Sequence, residues 1–240
     1  MSANPALIAC DADALIQVFC VGRLEPLKCL RNRFDVQPIV VPEVELEILS
    51  HRRLGPTIAE SFKKAVDKHL VRVLTIEELR SQLGSGSPLA QRGCQAVWDD
   101  IQSRGEKYEL YVDRGEAFTH AAAVELSVPV VSNDARSIRA MKENRLQTSR
   151  TLRVFDLYAL AVQTGQMQAS DIGKVRARLQ SQQESIPRAF ANCSFEDGLG
   201  AFGVRVVDAS LPFPEGAENP LRLHPKEEPS PSSAPPTSLT

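Results

Sequence analysis

Two carboxylates stand at the ends of apolar runs that lie far apart in the chain. Leu7-Ile8-Ala9-Cys10 stops on Asp11, and Val128-Pro129-Val130-Val131 leads through Ser132-Asn133 to Asp134. Open α/β sheets present functional groups at the carboxyl ends of their strands, so two acids placed this way point to one shared acidic site. Two more acids stand near expected helix starts. One is Glu47, with Glu43 as the alternative, in the run after Pro42. The other is Glu116, with Asp113 as the alternative, ahead of the alanine-rich stretch Ala117 to Leu126. Carboxylates brought together repel, and each raises its neighbour's pKa. A hard divalent cation relieves that repulsion, and ligands that are all oxygen suit Mg²⁺ or Mn²⁺. Such an ion lowers the pKa of a bound water. A pair of them can clamp the attacking and leaving oxygens of an in-line displacement.

Each of these residues also has a plainer use. Asp is a favoured helix N-cap, which would account for Asp11 and Asp134, and Asp13 is a cap candidate too. Glu43 and Glu47 share a helix face beside the dipole's positive end, as solvated acids often do. Asp113 and Glu116 have the spacing of a capping box. The basic side chains Arg52, Arg53, Lys63, Lys64 and Lys68 read as a wet surface or as a track for a phosphate backbone. His120 has no visible general-base partner and reads as packed or surface.

The elements that must carry these residues follow from periodicity. Apolar runs at Leu7 to Cys10, Pro38 to Val41 (within Val36 to Val41), Val71 to Leu74 and Val130-Val131 predict strands, as do Arg153 to Asp156 and Ala201 to Val207. Between them, helices are predicted over Ala14 to Phe19, Leu24 to Arg33, Pro42 to Leu49, Ile58 to His69, a stretch capped by Thr75, Ala90 to Arg104, Ala117 to Leu126, Ala135 to Met141, Leu157 to Gly165 and Ala169 to Gln183. Gly84 to Pro88 is a flexible loop by composition. Strands alternating with helices predict an α/β fold with a mainly parallel sheet.

Composition sets the outer bounds. With 42% hydrophobic residues the chain can bury a sizeable core, and a net charge of −2 gives no global pull toward nucleic acid or membrane. The five cysteines are odd in number, form no C-x-x-C pair and have no zinc spacing, which fits a reducing cytoplasm. Neither a signal-peptide pattern nor an apolar run long enough for a bilayer is evident, so no membrane association is expected.

The order of these features resembles a PIN domain. Asp11 follows an apolar strand, Val44-x-x-Glu47 follows the next, Gly115-Glu116 opens an alanine-rich helix, and Ser132-x-Asp134 ends a further strand. In detail the chain is similar to VapC-type ribonucleases, the toxins of type II toxin–antitoxin systems, over roughly Leu7 to Gly165. The resemblance implies a three-layer α/β/α fold and an endoribonuclease that hydrolyses RNA phosphodiesters with Mg²⁺ or Mn²⁺. It matches Asp11, Glu47, Glu116 and Asp134 to the four catalytic acids. Asp11, Glu116 and Asp134 are then the main metal ligands, Glu47 binds a second ion or orients water, and Ser132 assists beside the metal. Asp13 stands where the family usually has Asn or Ser. An antitoxin protein and a homodimer are the partners it implies. The stretch between Glu47 and Glu116 is longer than in a minimal toxin, and the chain beyond Gln183 is additional. The expected organisation is a PIN-like nuclease domain over 1–182, an extension packed on it over 183–210 and a disordered Pro/Ser-rich tail over 211–240.

Two other classes compete. One is a protein that keeps the fold without the nuclease and acts as an RNA- or protein-binding regulator. The other is a phosphohydrolase of the haloacid dehalogenase type, whose D-x-D start Asp11-Ala12-Asp13 resembles. Ala14-Leu15 lacks that family's usual small or hydroxyl residues, and no matching lysine motif precedes Asp134.

Overall fold

The computed structural model describes residues 5–51, 55–82, 91–149, 151–184 and 186. Five parallel strands form one sheet: β1 (Ala6–Cys10), β2 (Val36–Val40), β3 (Arg72–Val73), β4 (Val130–Val131) and β5 (Thr151–Leu152). Their spatial order is β3-β2-β1-β4-β5. Chain order runs outward from β1 through β2 to β3, then returns past β1 to β4 and β5. Parallel crossovers are right-handed, so a reversal of direction sends later helices to the opposite face. The result is an α/β fold of three layers. Arg153 to Asp156 is not a strand, and Ala201 to Val207, Gly84 to Pro88 and the segments 187–210 and 211–240 lie outside the described residues.

The helices are α1 (Ala12–Val21), α2 (Glu25–Phe34), α3 (Pro42–Leu49), α4 (Gly55–Asp67), α5 (Ile76–Gln82), α6 (Cys94–Tyr108), α7 (Arg114–Leu126), α8 (Ala135–Glu143), α9 (Val154–Gln163) and α10 (Ala169–Ser181). α1 packs against α4, α9 and α10, and α2 packs against α9. α6 and α7 stack on each other, and α7 lies against β1 and β4. β2 is buried along its whole length, so its residues are apolar but for Gln37, whose Nε2 donates to the Pro38 carbonyl at 2.9 Å. Pro38 is tolerated there because β3 pairs only with Ile39 and Val40. Among the described residues, no helix is long and apolar enough to cross a membrane. Cys10, Cys20 and Cys29 are buried and form no disulfide among the described residues.

Three local differences from the sequence expectation have physical causes. The run Arg153 to Asp156 opens α9, and the strand ends before it, at Leu152. The Asp156 carboxylate accepts the Arg153 backbone N–H at 2.7 Å, which starts the helix. Val154 to Ala161 is buried on every side, so the run has no helical stripe to reveal its period. Asp11, not Asp13, caps α1, accepting the Ala12 N–H at 2.7 Å. Helix α6 runs on through Gly105 to Tyr108, four residues past the expected end.

Gly105 explains that extension. A Cβ there would stand 2.7 Å from the Phe118 ring, so the missing side chain lets α6 and α7 close together. The same pair is tied at its rim by Arg104, whose Nε donates to Glu125 at 2.7 Å, while the Tyr108 hydroxyl ties α6 to the stretch before β5, donating to the Gln147 carbonyl at 2.7 Å. Gly105→Ala sets two effects against each other. Helix propensity favours Ala by about 1 kcal/mol, and overpacking a filled core costs about 1–3 kcal/mol. The ring is fully buried, so overpacking wins. A net loss of up to about 2 kcal/mol is expected in urea unfolding. A stabilised variant would mean that the two helices are not in close contact.

Candidate active site

The crevice of a doubly wound sheet lies where neighbouring strands send their connections in opposite directions. Here that point is between β1, which leads toward β2, and β4, which leads toward β5. Asp11 directly follows β1, and Asp134 comes three residues after β4. The Asp11 side chain is 2% exposed. Its Oδ1 caps α1, and its Oδ2 accepts the Ser132 hydroxyl at 3.1 Å. Ser132 Oγ in turn accepts the Asp134 backbone N–H at 3.2 Å. The two strand ends are thus joined through one serine.

Glu116 comes from a third place, the first turn of α7, and is 8% exposed. The Ser137 hydroxyl, on the first turn of α8, lies between Glu116 and Asp134. It is hydrogen-bonded to both carboxyl groups, with 2.8 Å to Asp134 Oδ2. Asp134 Oδ1 accepts the Arg136 N–H at 2.6 Å and so caps α8. Around this buried floor stand Asp13, Glu47 and Asp113, all exposed. Glu47 reaches across to α7: its Oε2 lies 2.6 Å from where a Cβ on Gly115 would be. Gly115 is the residue whose lack of a side chain admits Glu47.

The electrostatics follow from this crowding. Burial, with Asp13 and Glu47 adding to it, pushes Asp11 up to about 7 despite its two hydrogen bonds. Burial pushes Glu116 up to about 8, with Asp11 and Asp134 adding to it and the Ser137 hydrogen bond opposing it. The Ser137 hydroxyl has one hydrogen, so it donates to one of these two carboxyl groups at a time. Asp13 is raised by burial and by Asp134 and Glu184, with His51 opposing, and Glu47 is raised by burial, Asp13 and Asp113. Burial works against Asp134, but hydrogen bonds from Arg136 and Ser137 outweigh it and hold this carboxyl low. The residues are therefore paired into a low and a high acid sharing one serine.

The alternatives left by the sequence separate here. Glu47 faces Asp13 and Asp113, whereas Glu43 turns to Arg114 at 3.5 Å. Arg114 also pairs with Glu109 at 2.9 Å and lies over the Phe118 ring. Asp113 occupies the N-cap position of α7 without a side-chain capping bond, so the capping-box reading of Asp113 and Glu116 fails and Glu116 turns inward to the site. His120 is buried, and neither ring nitrogen has a hydrogen-bond partner among the described residues. Burial pulls it down to about 4, so it is neutral at pH 7. Lys63 and Lys64 are exposed on α4, and Lys64 pairs with Glu60 at 2.7 Å. The structure does not bring them to the acids. Arg52 and Arg53 lie outside the described residues. Ser137 was missed by sequence reasoning; its signal was the one-turn spacing from Asp134.

The donor set is all oxygen and all acidic, which fits a hard divalent cation. Among the described residues the ion pairs engage other acids, and none of Asp11, Asp13, Glu47, Asp113, Glu116 and Asp134 is paired with Lys or Arg. As they stand, no three His, Cys, Asp or Glu side chains among the described residues are grouped to hold a metal ion.

The raised acids make a stability prediction. A carboxyl whose folded pKa exceeds its unfolded value binds more protons folded than unfolded, so its stabilisation is complete below the unfolded pKa and is lost as pH rises through the folded one. For Asp11 and Glu116 that loss begins in the ordinary carboxyl range and is complete once the pH has passed about 7 and about 8. His120, with a depressed pKa, acts only below pH 6.5. Between pH 6.5 and 8.5 in EDTA, the unfolding free energy should therefore fall by on the order of 1–3 kcal/mol. Glu116→Gln should flatten that slope and be the more stable chain at pH 8.5. An unchanged slope in this variant would show that Glu116 is not a buried, strained acid.

Comparison with protein-family models, with curated proteins and with solved structures gives no match for this chain.

Proposed function

We propose that the chain is a metal-dependent endoribonuclease of PIN type. The observation that carries this reading is the convergence at the strand-order switch point of Asp11 with Glu116 and Asp134, which lie more than a hundred residues further along the chain. No lysine or arginine of the described residues is paired with them. Asp11, Glu116 and Asp134 would hold Mg²⁺ or Mn²⁺. The ion would supply a bound water of lowered pKa and offset the charge that grows on a phosphate under attack. Ser132 and Ser137 keep the carboxylates aimed at one point. Metal uptake displaces the protons that the high acids carry, so affinity rises with pH. Glu47, with Asp13 and Asp113 beside it, lines the entrance and is placed to orient water or take a second ion. The free thiols agree with a reducing compartment such as the cytoplasm. An antitoxin partner and a homodimer follow from the PIN reading alone.

The phosphohydrolase reading is less well supported. It requires a free Asp11 nucleophile, and both Asp11 oxygens are committed, to the Ala12 N–H and to the Ser132 hydroxyl.

The test is cleavage of a mixed RNA pool by the purified chain with Mn²⁺ and with EDTA. Cutting should need Mn²⁺, and Asp134→Asn should lower it by at least about 100-fold, more than loss of an outer partner of a ligand usually does. Cutting that survives EDTA, or an Asp134→Asn chain as active as the parent, would overturn the proposal.

A further inference from the structure

The segment Ser132-Asn133-Asp134 holds two of the site's groups, but its own backbone is not part of a helix or strand. Something must fix it, since a loop at a strand end otherwise moves independently of the sheet. Three bonds do so. Asn133 Nδ2 donates to Gln17 Oε1 on α1 at 2.9 Å. Asn133 Oδ1 accepts the Val154 backbone N–H, the first residue of α9, at 3.0 Å. Next to it, the Arg153 guanidinium donates to the Ser132 carbonyl at 3.2 Å. Gln17 is 3% exposed, on a helix otherwise buried through apolar side chains. A buried amide in such a place needs partners, and Asn133 supplies one to its oxygen.

We infer that Asn133 is a positioning residue for the metal site: with Gln17 and Arg153 it clamps the Ser132–Asp134 segment to α1 and to the start of α9. The inference rests on the metal-dependent reading of the site. Both faces of the amide are used. One holds the segment to the helix that Asp11 caps, the other to the helix that follows β5. The distance between Asp11 and Asp134 is therefore set through Asn133 as well as through Ser132. Removing the amide leaves Asp11, Glu116 and Asp134 in the chain but frees the span that carries one of them. Residues that orient ligands in this manner typically govern metal affinity by 10–100-fold.

The experiment measures Mn²⁺ binding by electron paramagnetic resonance, and amide hydrogen exchange at Asp134 and Arg136 in EDTA, for the parent chain, Asn133→Ala and Gln17→Met. Asn133→Ala should bind Mn²⁺ about 10-fold or more weakly and exchange faster at both amides, while exchange in the α6–α7 pair stays at the parent rate. Gln17→Met keeps the helix and the side-chain volume but removes the acceptor, so it should move the same two amides in the same direction by a smaller factor. Asn133→Asp, which keeps the acceptor for Val154 N–H, should restore the slow exchange in part. If the parent binds Mn²⁺ and Asn133→Ala binds it within two-fold with unchanged exchange, the positioning role is overturned and the metal site stands. If the parent binds no Mn²⁺, the metal reading falls and this role in metal binding falls with it. The exchange rates then still decide whether Asn133 holds the segment. Should Asn133→Ala fail to fold, Gln17→Met carries the same comparison.

Discussion

The constraint on which the rest of this molecule depends is the burial of like charges. Asp11 and Glu116 are almost wholly removed from water, they face each other and Asp134, and no lysine or arginine of the described residues neutralises them. A folded chain keeps such an arrangement only if the surrounding structure over-determines it. Two serines do the local part. Ser132 joins the end of β1 to the segment after β4, and Ser137 joins the start of α7 to the start of α8. Protons do the rest near neutral pH, which is the state a hard cation would replace.

Holding the acids together is a task for the whole fold. Glu116 reaches the crevice only because α7 lies close on β1 and β4. That helix is small-sided, with Ala117, Ala121, Ala122 and Ala123 all buried. On its other side it accepts α6 at a glycine, and at its first turn it accepts Glu47 at a second glycine. Gly105 and Gly115 thus act by the same means, a missing Cβ, toward different ends: one lets two helices pack, the other lets an acid reach the entrance. Arg114 bridges α7 to Glu43 on α3 and to Glu109 at the end of α6, and so takes Glu43 away from the site.

The alternation of strands and helices, the parallel sheet and the positions of Asp11 and Asp134 were legible in the sequence. An apolar run that stops on an acid marks the place where a buried strand leaves the sheet and the chain turns into the next helix. The start of α9 was not legible. A run buried on all sides carries no period, and only the bond from the Arg153 N–H to Asp156 tells helix from strand there. The expected helix stopped at Arg104, whereas α6 continues through Gly105, where close packing against Phe118 offsets the weak helix propensity of glycine.

By itself, then, the sequence determined which residue types were available at strand ends and helix starts, because burial and capping are decided within a few neighbours. It could narrow the second and third acids only to Glu43 or Glu47 and Asp113 or Glu116. Where each of them points was set by the tertiary structure, since each depends on a partner from another element: Glu43 turns to Arg114, Glu47 reaches over Gly115, and Glu116 meets Ser137. Ser137, Asn133 and Gln17 gain their meaning only when β1 and β4 lie side by side. A hydrogen bond between residues more than a hundred positions apart, such as Asn133 to Gln17, is fixed by strand order and has no local signature to read.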